Sequence, residues 1–434
     1  AVPRAVAKGM VGPLSRKRGN GDAGTTRRAA TLAHRPTNAG IAMASGHSRR
    51  QFLRMAGIAT GLPLLGEARL ALAQVPAAAA AYAAPKTWIN ANEHPEGPCA
   101  AARAALGDMI PLGGRYLFEQ TGRMVEACAR HLGLRTDHVL PYAGSSEPLH
   151  YGVLAFTSAK RGLVTANPTF EAAWEAAAFT RARVAKVALA ADGAHDLRRM
   201  VAADRRAGLV YVCNPNNPTG TITPRAEIEW ALAHMPRGAV MMVDEAYIEY
   251  GNERSVVDLV AAGADLVVLR TFSKIYGMAG VRCGLALARP DLLKRLEYFG
   301  ANPMPIAATA AAIASLGDET LVAERRRETT EVRDETFAWL RTQGYRFTPS
   351  TTNCFLLDAG QPGKPVMAAM AERGVVIGRT WEILPNQVRI TIGSREEMLR
   401  FRDAWQEVMR EGVKAAASID SPSTDSLQRF VRLT

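Results

Sequence analysis

Five short apolar runs, each passing directly into a cluster of polar and turn-forming residues, restrict this chain to few folds. They occupy residues 162–166, 208–213, 239–243, 265–270 and 283–288. Runs of this length and aliphatic content read as strands buried on both faces. Helix-like segments separate several of them, as in 224–234, where Ile228, Ala231 and Leu232 recur at helical spacing. Alternating strand and helix signals predict an α/β sheet covered on both sides. Ligands of such sheets lie beyond the carboxyl ends of the strands, so the clusters are expected to converge on one crevice.

The clusters carry chemistry. Residues 265–270 lead into Thr271-Phe272-Ser273-Lys274, and Arg282 follows eight residues after the lysine. An amine desolvated beside a second cation is suited to condense with an aldehyde. Asp244, at the end of the neighbouring run, suits a protonated ring nitrogen, because a buried ion pair keeps that nitrogen charged. Asn217, in Asn214-Pro215-Asn216-Asn217-Pro218, and Tyr247 offer an amide and a phenol to a ring hydroxylate. Gly144-Ser145-Ser146-Glu147 opens a helix-like run through Phe156 and presents backbone N–H groups and a positive helix end to a phosphate. Phe170, after the 162–166 run, gives a flat face for stacking. Each residue also has a plainer role: Asp244 as a helix cap, Phe170 as core, Asn217 as a turn former. Taken together, a phosphate, a hydroxylated pyridine and an aldehyde meeting a lysine describe pyridoxal 5'-phosphate.

With these motifs in order from Asn92-Glu93-His94-Pro95 to Arg389-Ile390-Thr391-Ile392-Gly393, the chain resembles the fold-type I, class I/II aminotransferases, most nearly the histidinol-phosphate aminotransferase branch. The resemblance implies a large domain with a mostly parallel central sheet and a smaller α/β domain. It implies that Lys274 holds the cofactor and moves the proton at the substrate Cα, that Asp244 meets the pyridine nitrogen, and that Asn217 and Tyr247 meet the phenolate oxygen. Ser145, Ser146, Thr271, Ser273 and Arg282 would hold the phosphate. Tyr116, in Gly114-Arg115-Tyr116, matches a tyrosine that reaches the other subunit's cofactor, which implies a two-fold homodimer. Arg389 matches the bidentate clamp on the substrate α-carboxylate, with Asn353 beside it. Asn92, His94 and Arg379 complete the expected substrate contacts.

The implied reaction is ping-pong transfer of an amino group from an amino acid or amino-alcohol phosphate to a 2-oxo acid or phosphorylated ketone. A decarboxylase or C–S lyase on the same scaffold is the alternative, since those enzymes share the cofactor residues and differ in which Cα bond stands perpendicular to the ring. A non-enzymatic binding protein is disfavoured by the intact set. Two departures bear on substrate. His94 stands where the family usually has asparagine, and Gly378 stands where an arginine usually helps hold the substrate phosphate. Arg379 comes one residue late, and on a strand that shift turns a side chain to the opposite face unless a bulge or loop intervenes. Trp381 follows as a pocket or packing residue.

Charge separates the chain into unlike parts. Residues 1–73 hold 12 Lys and Arg against 2 acidic residues, so +10 of the net +12 lies there and the rest lacks a nucleic-acid footprint. Within that leader, Ser48-Arg49-Arg50-Gln51-Phe52-Leu53-Arg54 precedes an apolar stretch ending in Ala71-Leu72-Ala73, the form of a twin-arginine export signal cleaved before Gln74. Glu67 and Arg69 interrupt the stretch, so a stable membrane span is not expected. Met43 is a plausible start, and the expected location is periplasmic or exported, or cytoplasmic without the signal. The organisation expected is a leader to 73, a linker over 74–85, an arm of the small domain over 86–117, a large domain over 118–299, a small domain over 300–413 and a polar tail over 414–434. An odd number of scattered cysteines without C-x-x-C, and histidines without H-E-x-x-H, predict neither a disulfide framework nor a metal site.

Overall fold

The computed structural model describes residues 86–300 and 303–412. The expected export signal, the linker and the polar tail lie outside the described residues. Seven strands form the central sheet: β2 (Val139–Tyr142), β3 (Gly162–Asn167), β4 (Val184–Ala188), β5 (Ala207–Cys213), β6 (Val240–Asp244), β7 (Leu266–Thr271) and β8 (Gly284–Leu287). Their spatial order is β2-β8-β7-β6-β5-β3-β4. Successive residues face opposite sides, as the pleat requires. Val210, Val212, Met241, Val243 and Val268 enter one core, while Leu209, Tyr211, Met242, Val267 and Leu269 enter the other. Each such aliphatic burial contributes about 1.5–3 kcal/mol, which is why near-continuous apolar runs encode these strands.

Strands β4, β3, β5, β6 and β7 run parallel, whereas β8 is antiparallel to both β7 and β2. One sequence expectation is corrected here. The cluster at Arg289-Pro290, after the fifth apolar run, does not join the others, because reversal of β8 carries its carboxyl end to the far edge. There Arg289 pairs with Asp265 at 2.7 Å and Asp291 at 2.8 Å. The amino end of β8, with Arg282 just before it, comes to the crevice instead.

The smaller unit contains β1 (Thr87–Ile89) parallel to β10 (Val375–Ile377), and β9 (Cys354–Asp358) antiparallel to β11 (Gln387–Thr391). Its core gathers Ile89, Phe355, Leu357, Val388, Ile390, Phe401 and Trp405. The helix Arg395–Glu411 covers it, started by a reciprocal capping box between Ser394 and Glu397. The cores divide the chain differently from the expected boundary at 300. The helix Ile306–Leu316 places Ala308, Ala311 and Ala312 in the same core as Met124 and Ala102, beside the large sheet. Its small side chains permit that close seating. The helix Leu321–Thr342 then passes from that core at Leu321 to the smaller one at Val332, Phe337 and Leu340. Among the described residues no single helix is long and apolar enough to cross a membrane, no His, Cys, Asp and Glu group could hold a metal, and the five cysteines are free and buried.

Candidate active site

A cavity of about 340 Å³ opens where the carboxyl ends of β3, β5, β6 and β7 face β11 and the segment after β1. Lys274 lies buried in its wall, and its Nζ donates to the Ala91 carbonyl at 3.2 Å, 5.6 Å from the Tyr247 ring centre. The Tyr247 hydroxyl accepts from Asn92 Nδ2 at 3.0 Å. Asn92 adopts a left-handed backbone, φ 55°, which asparagine tolerates better than most residues. Two bonds to Thr391 Oγ1 hold it there: the Asn92 N–H donates at 2.9 Å, and the Thr391 hydroxyl donates to Asn92 Oδ1 at 3.1 Å. Asn353 Nδ2 donates to the Asn92 carbonyl at 3.1 Å. Asn92 and Asn353 therefore shape the site from behind and do not line it.

Asp244 ends β6 and is buried. Its Oδ2 accepts from the Tyr211 hydroxyl at 3.0 Å, and its Oδ1 accepts from the Ala246 N–H at 3.2 Å. Burial and the Asp244 carboxylate push the Tyr211 phenol well above its usual range, so it remains a donor at neutral pH.

At the other end, Ser145 and Ser146 start the helix Ser146–Phe156 beside Arg282. The Arg282 guanidinium donates to the carbonyls of Ala143 at 3.1 Å and Ala279 at 2.8 Å and to Ser273 Oγ at 3.3 Å. Thr271 Oγ1 donates to the same Ser273 oxygen at 2.9 Å. Gly144, at φ 95°, is required here, since a Cβ would lie 2.0 Å from the Arg282 terminal nitrogen. The cavity thus has an anion-binding end of hydroxyls, helix N–H groups and a guanidinium, an amine in its wall, and a buried carboxylate with its own donors. That donor set fits pyridoxal 5'-phosphate: Ser145, Ser146, Thr271, Ser273 and Arg282 for the phosphate, Asp244 for the ring nitrogen, Asn217 and Tyr247 for the ring oxygen, and Phe170 on the wall.

Arg389, on β11, is buried on the cavity wall. It donates through Nη1 to Asn217 Oδ1 at 2.9 Å and through Nη2 to the Asn90 carbonyl at 2.7 Å, while Nε meets no protein acceptor. Arg379 also lines the cavity. β10 ends at Ile377, so the one-residue shift does not turn Arg379 away. Gly378 cannot carry a side chain, because its Cβ would stand 2.5 Å from the Arg389 carbonyl oxygen and 3.0 Å from that of Asn90. Arg379 forms an ion pair with Glu171 and lies 4.3 Å from the Trp381 ring centre.

Besides Asn92 and Asn353, His94 lies off the cavity wall, and Tyr116, expected at a partner's cofactor, lies outside this chain's own site. His94 is buried beside Arg325, accepts a 3.4 Å bond from the Glu96 N–H, and is absent from the cavity wall; burial, aided by Arg325, pushes its pKa down to about 3. Tyr116 is 69% exposed and stacks on Phe118 at 5.3 Å, away from this chain's cavity. Sequence reasoning missed Tyr211, Thr391 and Glu171. A tyrosine within a fully buried strand was the available signal for the first, since a buried phenol needs a partner.

The class I and II aminotransferase family model matches residues 84–404, and the chain belongs to that family. The histidinol-phosphate aminotransferase of Bacillus subtilis (strain 168) is 33% identical over 319 residues, covering 71% of this chain and 88% of the relative. The aromatic amino acid aminotransferase of Rhodococcus jostii (strain RHA1) is 35% identical over 320 residues, covering 71% and 86%. The structure of histidinol-phosphate aminotransferase from Sinorhizobium meliloti in complex with pyridoxal-5'-phosphate superposes with a TM-score of 0.69 at 27% identity, over 75% of this chain and 91% of that one.

The chain is therefore a pyridoxal-phosphate-dependent aminotransferase, working by two half-reactions at one site. When bound, the cofactor supplies an electrophilic carbon and an electron sink for the substrate. Lys274 would take and return the proton at the substrate Cα, and its burial would keep competing water from its amine. Asp244, fixed by Tyr211, would meet the cofactor's ring nitrogen as a charge-paired partner. Asn217 is held in orientation by Arg389, and Tyr247 by Asn92.

Proposed function

We propose that the substrates are α-amino acids and 2-oxo acids whose carboxylate docks on Arg389, within the imidazole and aromatic range named for the relatives. One observation carries this reading: a buried guanidinium on a residue of the cavity wall, anchored at both terminal nitrogens, whose Nε has no protein partner. The test is a half-reaction screen, in which cofactor-loaded protein is mixed with single amino acids and with histidinol phosphate while the cofactor absorbance is followed. Conversion by imidazole or aromatic donors with release of a 2-oxo acid is expected. Carbon dioxide or thiol release without conversion would refute it.

The working unit we infer is a homodimer. Ile110, Leu112, Tyr116 and Phe118 form an exposed apolar stretch suited to a second copy, and Tyr116 within it would reach the neighbouring cofactor. The proposed location is outside the cytoplasm, supported by the twin-arginine pattern at Arg49-Arg50. Replacing both arginines by lysine should retain the enzyme in the cytoplasmic fraction, and unchanged export would refute this.

A further inference from the structure

We propose that Glu171 sets the substrate preference by holding Arg379 in a preformed ion pair, so that the site selects uncharged, aromatic-sized side chains over phosphorylated ones. The proposal rests on the carboxylate-docking role of Arg389 given above and extends it to the other end of the substrate. Glu171 directly follows the cavity-lining Phe170, and Arg379 lies just past β10, so the pair joins the two units across the cavity. Both side chains are largely buried, at 18% and 7% exposure. The Trp381 indole fixes Arg379 from a second side: its ring centre is 4.3 Å from that guanidinium and 5.8 Å from the Arg389 guanidinium, and its Nε1 donates to the Thr169 carbonyl at 3.4 Å.

The remaining wall strengthens the preference. Met367 and Ile377 add apolar surface to the lining, and Glu93 adds a carboxylate to the wall it shares with Arg379. A phosphate group seeking Arg379 must separate a buried ion pair and leave the Glu171 carboxylate uncompensated, a costly state. It must also tolerate like charge from Glu171 and Glu93 in a medium less polarisable than water. An uncharged ring asks neither, and can rest against the apolar wall with the pair intact. Glu171 occupies the N-cap position of the helix Ala172–Thr180, yet its side chain makes no capping hydrogen bond, so its replacement leaves the helix start unchanged.

The test uses unreactive analogues and cofactor-loaded protein. Dissociation constants for 3-phenylpropionate and 3-phosphonopropionate are measured by calorimetry on wild type, Glu171→Gln and the double variant Glu171→Gln/Arg379→Gln. Wild type should favour 3-phenylpropionate. Glu171→Gln should shift the affinity ratio toward the phosphonate by about tenfold or more, and the double variant should lose that shift. An unchanged ratio in Glu171→Gln overturns the proposal, as does a shift that persists without Arg379. Because binding is read without turnover, this failure differs from failure of the donor assignment, which would appear as loss of binding of both analogues to wild type.

Discussion

Replacing Arg389 by lysine separates carboxylate recognition from the rest of the chemistry. The arginine uses Nη1 on Asn217 and Nη2 on the Asn90 carbonyl, and its Nε has no protein acceptor. A lysine presents one nitrogen, which cannot satisfy both anchors and also grip a carboxylate through two donors. Each hydrogen bond to a charged group is worth about 1.5–3 kcal/mol, so losing one arm of the grip should lower kcat/KM for α-amino acids about 10- to 100-fold. A donor with a neutral hydroxymethyl group in place of the carboxylate, such as histidinol, presents no anion to that grip. Its half-reaction rate constant per unit concentration should fall by no more than about threefold, the residue left by a loosened Asn217. Stopped-flow absorbance of the cofactor-loaded variant with both donor types measures the two numbers, and the melting temperature checks the fold. Equal losses for both donors would refute the role assigned to Arg389 and make it a support for Asn217 alone.

Gly144→Ala should place its Cβ against the Arg282 guanidinium and force a φ of 95° on alanine, so cofactor should dissociate at least about tenfold more readily on dialysis. Unaltered retention would contradict the anion-binding end described here. Acid should destabilise the fold through its buried histidines. Burial lowers His195 to about 4 from an ordinary 6.5, so the unfolded chain takes up a proton first; the contribution is complete above pH 6.5 and is lost as pH falls toward 4. His195→Gln should therefore flatten the decline of Tm between pH 7 and 4.5, by an amount corresponding to at most about 3 kcal/mol, and an identical slope would refute this.

The strands and the cofactor residues were legible because both are local signals. Burial on two faces demands continuous apolar runs, and the sites of an α/β sheet follow those runs directly, so Lys274, Asp244, Asn217 and Ser145 could be placed from short windows of sequence. The direction of β8 was not, since a short apolar run reads alike either way. A hint was present: only residues 272–283 link β7 to β8, with no helix among them, and a parallel crossover usually needs one. Arg379 required knowledge of where β10 ends and that Gly378 faces two carbonyl oxygens, neither of which is local. The Ile306–Leu316 helix is apolar nearly all round, so its pattern could not say which core would take it. His94 sits within a motif at the site yet turns into packing, which neighbourhood in sequence does not reveal.

The most direct test of the central claim is a single-turnover measurement on cofactor-loaded wild type and Lys274→Ala, each mixed with an amino donor, recording 2-oxo acid release and the cofactor absorbance together. Wild type should release the 2-oxo acid in step with the absorbance change, while Lys274→Ala, with its fold and bound cofactor verified, should be slower by at least about 10²-fold, the lower range for loss of a general base. Near-wild-type conversion by Lys274→Ala would contradict the assignment of Lys274 as the group that moves the proton.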